Sequence, residues 1–327
     1  MRDKALVVAL GALAALALMS GIVVHGPVAR AADPPPDPVI AAVGDFACDP
    51  ADSGYLGGLG NATRCQQLAT SNALLADPTV GAVLGLGDFQ YDCSDPADWV
   101  VSYNPTWGRL DARMDPVAGN HEYKRGTDLF GTTCPAGNST AQSYFAHFGA
   151  SAHPESSGHF SFDLGTWHLI GLNANCNASG VGGCAATSSQ TKWLTADLAA
   201  TKQRCVLAFW HQPLFTGRPK LGTSYRPWWN VLQAAGVDVV LNGHVHNYQR
   251  FASALPSGAA SSSGITEYVV GTGGEGLMTV TATASPYPVA SAVTFGYLRM
   301  TLQPAGWQAQ FVDLHGQVLD TSSGTCH

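Results

Sequence analysis

The chain has 327 residues, 46% of them hydrophobic and only 12% charged, with 16 Lys and Arg against 23 Asp and Glu for a formal charge of −7. So much apolar material excludes a disordered or acidic-tail protein, because burial can offset the entropy of ordering the chain. A negative balance without a basic block argues against a general nucleic-acid or anionic-membrane binder, and 37 Gly with 19 Pro point to a loop-rich globular protein.

Arg2 and Lys4 precede an uncharged run from Ala5 to Val24, and Ala29-Arg30-Ala31 then offers the small-x-small pattern that signal peptidases cut. Residues 1–31 therefore read as a signal peptide and the protein as secreted. The apolar run is also long enough to span a bilayer, so an uncleaved membrane anchor is the alternative. Pro34, Pro35 and Pro36 make residues 32–37 a stiff, Pro-rich lead-in. Residues 38–327 contain no linker long enough to divide them and read as one domain.

Val39 to Val43 is a short apolar run ending in Gly44-Asp45, Cys65 to Leu75 has helical spacing, and Val80 to Leu86 is a second apolar run ending in Gly87-Asp88. This predicts a strand, helix, strand unit with an acid at the end of each strand. Pro116-Val117-Ala118 leads likewise into Gly119-Asn120-His121, Val206 to Trp210 into His211, and Val237 to Leu241 into Asn242-Gly243-His244. Further strands are predicted over Phe160–Leu164, Trp167–Leu172, Ile265–Val270, Tyr297–Leu302 and Trp307–Val312, with helices over Ser188–Thr201 and Tyr225–Ala235. The class is α/β. Sites in open α/β sheets form beyond the carboxyl ends of the strands, so these polar residues can converge although they are far apart in sequence.

Eight cysteines (Cys48, Cys65, Cys93, Cys134, Cys176, Cys184, Cys205 and Cys326) are an even number in a chain marked for export, and disulfides follow. Cys176–Cys184 is the most local pair and closes a Gly-rich loop; Cys48–Cys65, Cys93–Cys134 and Cys205–Cys326 are the further pairs expected. No CxxC supports a thiolate zinc site or a redox dithiol. Sequons at Asn61, Asn138 and Asn177 mark surface loops.

The strand ends carry Asp45, Asp88, Asn120 with His121, His211, and the pair His244 and His246. Carboxylate, carboxamide and imidazole groups without thiolates suit two intermediate divalent or trivalent ions better than a structural zinc. One Gly-Asp after a strand is an ordinary turn, and one His before Gln212-Pro213 an ordinary buried histidine. Five such ends in order are hard to obtain by chance.

Gly44-Asp45, Gly87-Asp88-Phe89-Gln90-Tyr91, Gly119-Asn120-His121-Glu122, Trp210-His211 and Gly243-His244-Val245-His246 resemble, in order, the signature blocks of the calcineurin-like metallophosphoesterases. Tyr91, three residues after Asp88, resembles the purple acid phosphatase branch, and Ala47 stands where relatives outside that branch have a His. The resemblance covers about residues 38 to 275. It implies a two-sheet α/β sandwich flanked by helices in four layers (αββα), with residues 38–327 as the catalytic domain. It implies one metal held by Asp45, Asp88, Tyr91 and His246, and a second by Asp88, Asn120, His211 and His244. Asp88 would bridge them, its two oxygens serving different ions. A phenolate is a hard ligand, so Fe(III) is implied at the Tyr91 site, with Fe(II), Zn or Mn at the other.

The activity so implied is hydrolysis of phosphate monoesters by attack of a metal-bound hydroxide. His121 adjoins a ligand without being one and would act as general acid toward the leaving group, while Glu122 would orient a neighbouring imidazole. The partner is a phosphorylated small molecule or other phosphoester; no specific nucleic-acid binding is expected, and no membrane attachment after signal cleavage. A phosphodiesterase or nucleotide hydrolase on the same site is the alternative, and a secreted binding protein that retains the fold without turnover is a further one.

Some features depart from that family. The additional histidines that bind phosphate after the block of His211 are absent from Gln212 to Lys220, where Arg218 and Lys220 are candidate phosphate contacts or simply solvated. The extra N-terminal β-domain of the plant enzymes is not expected. His153, His159, His168 and His315 lie outside the blocks and read as packing or surface residues. Gly271 to Gly276 reads as a turn flanking the site, Gly54 to Gly60 lacks the Lys-Ser/Thr ending of a P-loop, and neither GxSxG nor HExxH occurs.

Overall fold

The segment Val39–Val43 is apolar at consecutive positions because both of its faces are covered, as buried parallel strands require. Ile40 and Ala42 face a core shared with Leu207, Phe209 and Leu241, while Ala41 and Val43 face Leu74, Trp107 and Tyr144 on the other side. The computed structural model in which this is seen describes residues 36–217, 223–281 and 286–327. The predicted signal peptide, nearly all of the Pro-rich lead-in, and Arg218 and Lys220 lie outside the described residues.

The strands in chain order are β1 (Val39–Val43), β2 (Ala82–Gly85), β3 (Met114–Pro116), β4 (Phe160–Leu164), β5 (Trp167–Gly171), β6 (Cys205–Phe209) and β7 (Val239–Asn242). They continue as β8 (Tyr248–Arg250), β9 (Thr266–Val270), β10 (Ala290–Ala292), β11 (Gly296–Gln303), β12 (Gly306–Asp313) and β13 (Val318–Thr325). One sheet has the order β13-β12-β11-β1-β2-β3 and the other β10-β8-β9-β7-β6-β5-β4. Parallel pairing joins β1 to β2 and β2 to β3, and likewise β5, β6, β7 and β9. The carboxyl ends of β1, β2, β3, β6 and β7 are the places where the polar blocks begin.

Helices cover the outer faces. Leu194 of helix Ser189–Ala200 and Trp228 and Leu232 of helix Arg226–Ala234 pack on Ile170, Val206, Ala208 and Val240 of the second sheet. Ser188 caps the first of these, its hydroxyl accepting from the Thr191 N–H. The two inner faces and two helical layers form the αββα sandwich expected from the sequence. All four expected disulfides are present: Cys48–Cys65, Cys93–Cys134, Cys176–Cys184 and Cys205–Cys326.

The sequon asparagines do not all mark exposed loops. Asn138 is fully buried, its amide donating to the carbonyls of Cys93 and Lys124. Strand β13 and helix Gln142–Phe148 are additions to the predicted elements. Strand β13 reads VLDTSSGT and lies at a sheet edge with its residues exposed or half-buried, so it has no apolar pattern to find.

Candidate metal centre

Tyr91 reaches Asp45 because the two ligand loops go on pairing after their strands end. The Phe46 N–H donates to Asp88 O, Ala47 N–H to Phe89 O and Tyr91 N–H to Ala47 O, and the Phe46 and Phe89 rings stack 4.6 Å apart beneath them. This parallel extension sets the phenol three residues after Asp88 beside the first aspartate. Its oxygen lies 2.8 Å from Asp45 Oδ1, 2.9 Å from Asp88 Oδ2 and 3.1 Å from His246 Nε2.

Two quartets of donor atoms result. Asp45 Oδ1, Asp88 Oδ2, Tyr91 Oη and His246 Nε2 form one, with His246 Nε2 at 3.2 Å from Asp45 Oδ1. Asp88 Oδ2, Asn120 Oδ1, His211 Nε2 and His244 Nδ1 form the other: His211 Nε2 is 3.0 Å from Asp88 Oδ2, 3.1 Å from Asn120 Oδ1 and 3.3 Å from His244 Nδ1. Asp88, His211 and His244 offer atoms all within 4.8 Å of one another. The seven residues singled out as ligand candidates are thus brought together. Asp45, Asp88, Tyr91, His211 and His246 are buried, and Asn120, His121 and His244 are half-buried.

Each carboxylate ties one oxygen to the backbone and aims the other inward. Asp45 Oδ2 accepts from the His244 N–H at 2.7 Å, and Asp88 Oδ1 from the His121 N–H at 2.8 Å. The expectation that Asp88 would turn a different oxygen to each quartet is therefore corrected: Oδ2 alone belongs to both. The imidazoles are fixed in the same way, His211 Nδ1–H donating to Leu86 O and His246 Nδ1–H to Gly276 O, each at 2.6 Å. Such bonds hold the tautomer in which Nε2 carries a lone pair into the site.

The loops meet closely. A Cβ at Gly119 would lie 2.1 Å from Asp88 Oδ1, and one at Gly243 2.8 Å from Asp45 Oδ2. Asp45, Asp88 and His244 take positive φ of 62°, 55° and 69°, a conformation non-glycine residues hold where the surroundings impose it, often at functional sites.

The donor set fits cations. Five buried groups present lone pairs to shared points, and the single phenolic proton of Tyr91 cannot serve both carboxylates. Burial, then the Asp45 and Asp88 charges, push the Tyr91 phenol well above its usual range. Burial opposes ionisation of Asp88, but with no cation in the site the protons on His211 and His121 outweigh it and hold the carboxyl well below the usual range. Burial likewise disfavours the His211 charge, yet the Asp88 and Asp45 carboxylates push it up to about 9; a metal would take the place of the His211 Nε2 proton. His244 is driven down to about 4 by burial and by His211. A positive ion at each quartet would supply what these donors lack.

His121 lies outside both quartets, its Nε2 4.0 Å from Asp88 Oδ2. Its Nδ1 donates to Asp92 O at 2.6 Å and faces Asp92 Oδ1 at 2.9 Å, and its ring rests on Tyr91 at 4.1 Å between centroids. Burial disfavours its charge, but Asp88 and Asp92 prevail and it is pushed up to about 9. Glu122 does not orient an imidazole. Its carboxylate accepts the backbone N–H groups of Asp88, Phe89 and Gly119 at 3.0, 2.8 and 2.7 Å, pinning two ligand loops together.

The quartets open into a cavity of about 650 Å³. Asp92, Leu129, Phe130 and Glu275 line it beside His121. Glu275 lies in the turn expected to flank the site, whereas Asp92, Leu129 and Phe130 were not singled out from the sequence, and of these only Asp92, adjoining the Asp88–Tyr91 block, had a positional signal. Gly276, in the turn expected to flank the site, does so. His168 lies between Asp163 and Asp197 at 2.7 and 2.9 Å, as a packing histidine; His153, His159 and His315 do not line the cavity either.

Over 183 residues, or 49% of this chain and 31% of the relative, the sequence is 26% identical to Purple acid phosphatase 15 of Arabidopsis thaliana. The fold is similar to that of a purple acid phosphatase from yellow lupin seeds, with a TM-score of 0.66 at 17% identity, covering 88% of this chain and 53% of that one. It is also similar to that of GAP50, the anchor in the inner membrane complex of Plasmodium, with a TM-score of 0.57 at 14% identity over 89% of this chain and 90% of that one. The chain thus spans about a third of the Arabidopsis relative and about half of the lupin one. Residues 38–248 match the family described as calcineurin-like phosphoesterase, and the chain belongs to that family.

Proposed function

We propose that the protein is a secreted, dinuclear phosphomonoesterase of the purple acid phosphatase type, with residues 38–327 as its catalytic domain after a signal peptide (1–31) and lead-in (32–37). The observation that carries this reading is that Asp88 Oδ2 belongs to both donor quartets, one with a phenol and one with a carboxamide. The ions implied, Fe(III) beside Tyr91 and Fe(II), Zn or Mn beside Asn120, supply when bound the charge neutralisation and the activated water of phosphoester hydrolysis.

The chain's own residues do the rest. Asp45, Asp88 and Glu122 lock the loops so that the donors need not reorganise. Asp92 anchors His121 through Nδ1, leaving Nε2 toward the cavity to hold a proton and pass it to the departing ester oxygen. Four disulfides support an oxidising compartment, and among the described residues no helix is long and apolar enough to cross a membrane. The decisive experiment is metal analysis with parallel monoester and diester assays of wild type and Asp88→Ala. Two metals per chain and monoester turnover, both lost in the variant, are expected. Preference for diesters would move the reading to a phosphodiesterase, and full activity in a metal-free variant would reject it.

A further inference from the structure

The cavity over the quartets has apolar lining that the hydrolytic chemistry does not use. Leu129 and Phe130 are 83% and 42% exposed, yet both line the cavity. Exposed apolar side chains gathered at a pocket mark a surface that a ligand covers. Val245, Leu277 and Met278 line the same cavity, and the Met278 N–H donates to His246 O at 2.8 Å, so that wall is fastened to a ligand-bearing loop.

The Leu129–Phe130 turn is built rather than loose. Asp128 Oδ1 accepts the N–H groups of Phe130 and Thr132 at 2.9 and 2.6 Å, and Thr127 bridges to Thr133. The Cys93–Cys134 disulfide ties the end of the turn to the residue after Asp92. Asp92 Oδ2 then accepts the Leu129 N–H at 2.9 Å and pairs with Lys124, while Oδ1 faces His121. One carboxylate therefore sets both the apolar lip and the imidazole turned toward the leaving oxygen.

Charge narrows the ligand further. Asp49 and Glu275 also line the cavity, and among the described residues neither forms an ion pair; Arg64 is engaged by Asp52 at 2.9 Å. Carboxylates on the cavity wall that no ion pair ties down disfavour a leaving group that carries further phosphate or carboxylate. Resting on the phosphomonoesterase reading, we infer that Leu129, Phe130, Leu277 and Met278 form the subsite for the ester's alcohol, and that the preferred substrates are phosphomonoesters of uncharged, apolar alcohols. A polar cavity of about 350 Å³ lined by Arg125, Asn175 and Asn177 also touches Asn120 and is the competing seat for a hydroxylated or anionic alcohol.

The test compares benzyl phosphate, ethyl phosphate and AMP with the metal-replete full chain. Benzyl and ethyl alcohols are similarly poor leaving groups, so their difference reads the subsite. The wild type should favour the benzyl ester over the ethyl ester by about tenfold in kcat/KM, as apolar pockets discriminate, with AMP poorest. In the Leu129→Ser/Phe130→Ser double variant the benzyl-to-ethyl ratio should fall toward one, mainly through KM. A wild-type ratio near one, a ratio the double variant leaves in place, or AMP as best substrate with that preference lost in Arg125→Ala, would overturn the assignment. Binding of benzylphosphonate against ethylphosphonate by calorimetry decides the subsite separately from hydrolysis. Tighter benzyl binding, lost in the double variant, upholds the subsite even if no ester is turned over, which would sink the hydrolase reading alone; equal binding of the two overturns the subsite.

Discussion

Asp92 Oδ1 stands 2.9 Å from His121 Nδ1, while the backbone carbonyl of the same Asp92 accepts from that nitrogen at 2.6 Å. The imidazole is thereby held with its other nitrogen free. Burial disfavours the Asp92 charge, but hydrogen bonds from His121, Lys124 and the Leu129 N–H outweigh it and hold the carboxyl below the usual carboxylate range. Asp92 is thus a positioning residue for His121. In Asp92→Asn, metal content should persist while kcat for alkyl phosphates falls on the order of tenfold, a fraction of what general acid catalysis contributes. Leaving-group dependence should steepen, as it does when proton donation weakens. An unchanged dependence with a uniform drop would make Asp92 a merely structural residue.

His121 itself is surplus to both quartets, so His121→Ala should retain two metals per chain. Turnover of alkyl phosphates should fall by about 10²–10⁴-fold, the usual worth of a general acid. For nitrophenyl phosphate the loss should be much smaller, because nitrophenolate departs without needing the proton. Loss of a metal would make His121 a ligand, and equal losses for both esters would make it a phosphate-positioning group.

The strand ends and their ligand-type residues were legible because each block is local: an apolar run, a turn, then a polar group. Five of them fall at one edge of the two sheets, and the predicted strands match the observed ones to within two residues at either end, two of them coinciding throughout. What was illegible is non-local or polar. Glu122 looked like a partner for an imidazole, yet it binds the N–H groups of Phe89 and Gly119 across two loops, a geometry no spacing announces. Glu267 does the same for Leu214 and Phe215, which follow His211, from the second position of β9. Asn138 carries a sequon pattern but is consumed by backbone carbonyls. Leu129 and Phe130 sit in a turn where apolar residues signal nothing until the cavity beneath them is seen.

The Glu122 clamp yields a stability prediction. Glu122→Gln keeps the shape but replaces one acceptor oxygen with an NH₂ that faces backbone N–H groups. A buried donor left unsatisfied costs about 1–3 kcal/mol, so the melting temperature should drop and metal occupancy should weaken together, since the clamp fixes the Asp88 backbone. Denaturant unfolding and metal titration of the variant check this. Unaltered stability with unaltered occupancy would show that other contacts hold the two loops.

Tyr91 offers a spectroscopic test of the first quartet. A phenolate bound to Fe(III) absorbs visible light by charge transfer, so the purified, oxidised protein should be violet and Tyr91→Phe should be colourless with iron still present. Burial and the neighbouring Asp45 and Asp88 carboxylates keep the proton on the phenol when no cation is bound, so colour should also vanish on removal of metal and return on reloading with Fe(III). A wild type that is colourless and fully active with divalent ions alone would make Tyr91 a packing residue.

Asp98 gives a pH test away from the metal centre. Burial, then repulsion from Asp49, Asp95 and Asp128, pushes its carboxyl up to about 7 in the folded protein. The unfolded chain releases that proton near the ordinary value of about 3.9. Between these limits the folded state holds a proton that the unfolded state has lost, so this group makes stability fall as pH rises from about 4 to about 7, with no further change above. Asp98→Asn removes the effect because Asn cannot ionise. The variant should therefore gain little at pH 4 but melt about 2 °C higher than wild type at pH 8, a modest gain because the half-buried group is partly screened by solvent. High salt should narrow the difference at pH 8 by screening the neighbouring aspartates. Thermal unfolding of both proteins at the two pH values decides it: a difference that is the same at pH 4 and pH 8, or a variant less stable at pH 8, would show that Asp98 carries its charge in the folded state without penalty.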